Sequence, residues 1–152
     1  MLNKVIVVLA TLFSALSYGK NMDTPRYLVQ SFIADYQQWN DQVYRLSEAE
    51  IEYTGEAMKM AEDLYWENII SKYCRPGFKG QPIAFGSESS HDPEREVIIT
   101  EEIEGNISII TTKHTSSTGF VADYEYRLTK NNGRWYLEAV DYVDADGKYP
   151  GL

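Results

Sequence analysis

The side chains able to do chemistry in this 152-residue chain are few and scattered. There are two histidines, His91 in a loop-like stretch and His114 within a β-branched run, and a single cysteine, Cys74. None of the three has a neighbour at metal-ligand spacing, and a zinc site needs four converging ligands, or three and a water. Neither a metal nor a cofactor is therefore expected. The sequence holds no glycine-rich phosphate loop, no Gly-x-Ser-x-Gly elbow and no nucleophile–base pair that spacing alone can argue. What remains is general acid–base work in a pocket, where apolar walls tune a carboxylate or imidazole beside a tyrosine that donates a hydrogen bond. His114, Tyr124, Tyr126 and Asp141 are the candidates for it. Asp141 falls where strict strand alternation places an inward side chain, although a bulge there would turn it to solvent. The chain is read as a non-enzyme, with a periplasmic small-molecule binder or isomerase-like enzyme as the alternative.

The second group of functional candidates is suited to contact. Twenty-three acidic residues against 14 basic ones leave a net charge of −9, which repels nucleic acid and anionic lipid and attracts basic partners. The acidic residues bunch at Glu94-Arg95-Glu96, at Glu101-Glu102-Ile103-Glu104 and from Asp141 to Asp146. Asp144-Ala145-Asp146-Gly147 has the start of a calcium loop without its further ligands or closing glutamate, so it reads as a solvated turn. Glu101, Glu102, Asp144 and Asp146, with Tyr136 and Tyr149 as aromatic anchors, form the expected partner surface. Twelve tyrosines and three tryptophans are many for this length, and such rings suit pocket walls and interfaces. Trp39, Tyr124, Tyr126 and Trp135 are expected to line the interior of a curved sheet.

These residues need elements to hold them. Lys4, the apolar run Val5–Leu16 and the small residues around Ser17 describe a cleavable signal peptide over residues 1–17. Its loss would remove one basic residue, leaving 13 basic against 23 acidic, and residues 18–152 would form one exported domain without a membrane anchor. Cleavage after Ser17 or after Gly19 both fit. One cysteine permits no internal disulfide. Asp23-Thr24-Pro25 starts an amphipathic helix whose apolar positions run from Tyr27 to Leu46. Ser47-x-x-Glu50 has capping-box form and predicts a second helix, interrupted at Gly55 and closed by Arg75-Pro76-Gly77. A loop rich in glycine and proline follows, with Ile83-Ala84-Phe85 as a short candidate strand. Four strands are then expected at Glu96–Ile103, Asn106–Thr115, Phe120–Lys130 and Arg134–Val143. In the third, Phe120, Ala122, Tyr124, Tyr126 and Leu128 share a face, the period-two signature of a half-buried sheet. Trp135, Leu137 and Ala139 return on the inward face after the Asn132-Gly133 turn, and the alternation breaks at Val140-Asp141-Tyr142. Helices first and a meander afterwards make an α+β domain with helices packed on one face of a curved antiparallel sheet.

The order of parts, with His91-Asp92-Pro93-Glu94-Arg95-Glu96, Ala122-Asp123-Tyr124-Glu125-Tyr126, Gly133-Arg134-Trp135-Tyr136 and Tyr142-Val143-Asp144-Ala145-Asp146-Gly147-Lys148, resembles a known family. The chain is similar to the bacterial polymorphic-toxin immunity proteins with a nuclear transport factor two fold. That resemblance implies a cone-shaped α+β fold and neutralisation of a cognate toxin by direct binding, without catalysis. It transfers no toxin-contact residue, and it leaves monomer and homodimer open. With a signal peptide, the place of action would be the periplasm or the outside of the cell.

Overall fold

The computed structural model describes residues 23–50, 52 and 54–152. The expected signal segment, residues 1–17, lies outside them. Helix α1 spans Pro25–Ala49, with Pro25 at its start and the Thr24 hydroxyl accepting the Tyr27 N–H at 3.3 Å. Its stripe of Leu28, Phe32, Ile33, Tyr36, Trp39 and Val43 is buried. The helix runs on through the expected capping box. Ser47 lies in its last turn and donates to the Tyr44 carbonyl at 2.7 Å, so it caps nothing. Glu50 instead accepts from the backbone and hydroxyl of Thr54, at 3.3 and 2.5 Å. Gly55, in the left-handed region at φ 80°, then opens helix α2, Glu56–Tyr65.

The second helix does not keep α geometry. Its buried positions Ala57, Ala61, Tyr65, Ile69 and Tyr73 repeat every fourth residue. An α-helix turns about 100° per residue, so a strict four-residue repeat drifts off the buried face by about 40° a step. A π-helical turn at Trp66–Ile70, closed by the Ser71 N–H bonding the Trp66 carbonyl, takes up that drift. Ile69, Ile70 and Tyr73 all reach the core as a result. The helix ends with Ser71–Tyr73.

Five antiparallel strands follow in sequence order: β1 Glu96–Glu104, β2 Ile107–Thr115, β3 Val121–Asn131, β4 Arg134–Val143 and β5 Lys148–Pro150. Asn132 and Gly133, at φ 51° and 79°, make the tight β3–β4 turn. Two bulges bend the sheet. One sets Ile99 apart between Ile98 and Thr100 in β1; the other falls at Glu138, because Arg127 pairs with Ala139 while Leu128 pairs with Leu137. The second bulge stands earlier in β4 than the alternation suggested, and it corrects three expectations. Ala139 joins the outer face across from Arg127, Val140 takes the inward place across from Tyr126, and Asp141 lies outside across from Glu125. The alternation also started one residue too early: Phe120 precedes β3 and is 60% exposed. Ile83-Ala84-Phe85 forms no strand; Ile83 and Phe85 are partly buried loop residues packed on the core. Strand β5 was not expected, since three residues are too few for a period to show.

The core lies between the two helices and the inner sheet face. Trp39, Phe32, Tyr73, Tyr126, Leu128 and Leu137 are among its largest fully enclosed members. The Trp39 indole N–H donates to the Ala61 carbonyl at 3.0 Å and ties α1 to α2.

Candidate functional site

The inner face of the sheet carries a polar cluster in the middle of this aromatic core. Glu96 opens β1 on the inward side, opposite His114 of β2 and one inward step before Ile98, across from Thr112. Its side chain is fully enclosed. One carboxylate oxygen accepts from Thr112 at 2.5 Å and from the Tyr126 hydroxyl at 2.6 Å. The other lies 2.8 Å from His91 Nδ1, which is also 2.9 Å from the Tyr126 hydroxyl. Rings surround His91 on several sides: Tyr124 at 4.5 Å, Tyr36 at 4.8 Å and Phe32 at 5.4 Å between centroids. Burial pushes the Glu96 carboxyl up, but the His91 charge and the hydrogen bonds from His91, Thr112 and Tyr126 outweigh it and hold the carboxyl below its ordinary range. Burial, with the Glu96 charge and hydrogen bond behind it, drives the Tyr126 phenol well above its ordinary value. Burial likewise raises Tyr124 and Tyr36 to about 12.

This cluster has the composition of an acid–base site and the packing of a core. Tyr126 is fully buried, His91 is 3% exposed, and each member of the quartet His91, Glu96, Thr112 and Tyr126 hydrogen-bonds to another member. Neither His91 nor Glu96 was singled out by sequence reasoning, which placed one in a loop and the other in an acidic run. A signal existed: Glu96 shares the inward set with Ile98, and a carboxylate there must find partners. Of the residues proposed for chemistry, Tyr126 belongs to the quartet and Tyr124 packs on His91. His114 is buried nearby, its Nε2 without a hydrogen-bond partner among the described residues, and burial lowers its pKa. Asp141 is on the opposite face. Of the expected lining residues, Trp39, Tyr126 and Trp135 are buried core and Tyr124 is partly buried. Among the described residues no group of three or more His, Cys, Asp or Glu could hold a metal ion.

The expected partner-surface residues are distributed over the sheet. Glu101 and Glu102 lie on edge strand β1, where Glu101 pairs with Arg26 of α1 at 2.9 Å. Asp144 and Asp146 are exposed in the β4–β5 turn, where the Asp144 carboxylate accepts the N–H groups of Asp146 and Gly147. Tyr149 on β5 is 47% exposed and stacks beside Tyr142, at the far edge from β1. Tyr136 lies on the outer face near the start of β4, with the Arg134 guanidinium 4.8 Å and the Arg75 guanidinium 5.9 Å from its ring centroid.

The helices and the open five-stranded meander lie within a single family match, which runs from the start of α1 to the end of β5. The sequence model for NTF2 fold immunity proteins matches residues 24–150. The chain belongs to that family. The NTF2 fold immunity proteins thus supply its general role, immunity, and agree with the α+β architecture seen here. Comparison with curated proteins and with solved structures gives no match.

Proposed function

We propose that this immunity protein binds a cognate toxin through its outer surface and neutralises it without catalysis, in the cell envelope. The observation that carries the reading is the filled interior. The ring stack and the hydrogen-bonded quartet occupy the space in which a fold of this kind would otherwise hold a small molecule, so binding belongs to the exterior. Net charge of −9 speeds the encounter with a basic partner. The alternative, a ligand-binding or isomerase-like cone, requires Asp141 or His114 to face Tyr126 across an open cavity. Asp141 points away, and the Tyr126 ring is fully enclosed. Export rests on the sequence of residues 1–17 and is tested by fractionating cells for the processed chain.

The direct test is co-expression, in the envelope, of this protein with the toxin domain encoded next to it. Cells carrying the immunity gene should survive and cells lacking it should die. Killing that proceeds equally in both removes the proposal.

A further inference from the structure

We infer that the groove between the π-helical turn and the outer face of β4 is the toxin-docking site, and that it receives an Asp or Glu side chain flanked by an apolar residue. This rests on the toxin-binding reading and names the surface that performs it. The groove encloses about 340 Å³, with Trp66, Ile70, Cys74, Arg75, Arg134 and Tyr136 among its walls. Trp66 stands 50% exposed at the first position of the π turn, the position where the helix leaves its regular course. Tryptophan, tyrosine and arginine are the residue types that carry most of the energy in protein interfaces, and here all three meet in one concavity.

The cationic side of the groove is already ordered. Arg75 is held by Glu138 at 3.3 Å and by the Thr129 hydroxyl at 2.6 Å. Arg134 donates to the Lys72 carbonyl at 2.6 Å and lies over the Tyr136 ring. Groups fixed before binding lose little freedom on binding. Among the described residues Arg134 has no carboxylate partner, and it occurs on a protein whose acidic residues outnumber its basic ones. Its remaining N–H groups can grip a carboxylate in the fork geometry that lysine cannot reproduce. Charge complementarity therefore specifies a partner that brings one acidic side chain to this spot, with the neighbouring apolar group laid on Trp66 and Ile70. The acidic field of the whole molecule acts at longer range and steers a partner of positive net charge; the groove reads one carboxylate at contact.

The test uses the mature chain and a catalytically inactivated toxin domain from the adjoining reading frame, titrated calorimetrically. Trp66→Ala and Arg134→Ala should each weaken binding about 30-fold or more, with Arg134→Lys recovering only part of the loss. Both variants should melt within a few degrees of the parent, because the side chains removed are exposed. A scan of toxin carboxylates to amides should find one whose loss is non-additive with Arg134→Ala. If the parent binds and the groove variants bind equally well, or if Tyr149→Ala costs more than either, the groove assignment is overturned and toxin binding stands. If the parent does not bind, toxin binding falls and the groove falls with it.

Discussion

At the scale of single residues, the quartet of His91, Glu96, Thr112 and Tyr126 holds a carboxylate whose side chain is shut off from solvent. A buried anion is tolerated only when donors surround it, and Thr112, Tyr126 and His91 supply them. Tyr126→Phe removes one donor and keeps the ring, so it should cost about 1–3 kcal/mol in urea unfolding. A loss below about 0.5 kcal/mol would show that the hydroxyl is dispensable. The cluster also sets a pH dependence. Glu96 titrates in the fold below its ordinary 4.5, so its contribution is fully present above that value and drains as pH falls through the folded one. His114 acts with the same sign. Burial lowers its folded pKa from 6.5, although the carboxylates of Glu96, Glu88 and Asp92 oppose that, so the unfolded chain takes up the proton first. Stability contributed by His114 is complete above 6.5 and declines below it. The urea midpoint should thus fall steadily from pH 7 to pH 4. His114→Leu, which deletes a buried nitrogen that no described residue partners, should flatten the upper part of that decline and hold or raise the midpoint at pH 7. A midpoint that rises on acidification contradicts both assignments.

Among the elements, strand β5 has the weakest support. It has three residues, all exposed, and pairs only with Val143, Tyr142 and Asp141 of β4. Its position depends on the turn before it, where Asp144 bonds two backbone N–H groups and Gly147 sits at φ 154°. Asp144→Ala should release that turn, costing about 1 kcal/mol. The sharper readout is amide hydrogen exchange: Tyr149 and Gly151 should lose protection while β2 and β3 keep theirs. Equal protection in the variant would mean that Leu152, which is buried in the core, anchors the end of the chain by itself. Helix α2 shows the opposite situation. Its π turn follows from a four-residue apolar repeat, and the same distortion places Trp66 outward at the groove.

For the molecule as a whole, the acidic excess governs encounter more than affinity. Association with a basic toxin should slow at least several-fold as salt is raised from about 50 to about 500 mM, with dissociation changing less, because the Debye length contracts below the separation of approaching surfaces. Stopped-flow binding at two salt concentrations measures it directly, and a salt-independent association rate would exclude steering.

Periodicity in the sequence was enough to place strands β1 to β4 within a residue and to start α1 at Pro25, because a repeat of two or of about 3.6 is a local property; the boundary between the helices was misplaced, since α1 runs on to Ala49 and α2 begins only at Glu56. The Asn132-Gly133 turn and the Thr24 cap were legible for the same reason: each depends on the conformational preferences of adjacent residues. The family resemblance rested on those same local patterns. What the tertiary structure alone decided was pairing across distance. Only a paired register shows the bulge at Glu138, which exchanged the faces of Ala139 and Val140 and sent Asp141 outside. Only packing brings His91, from a loop, against Glu96 and Tyr126, from two strands that are not neighbours in the sheet. The groove combines a helix, a loop and a strand more than 60 residues apart, as the Arg134–Lys72 hydrogen bond shows. Such contacts follow from how closed surfaces fit together, and no window along the chain contains that information.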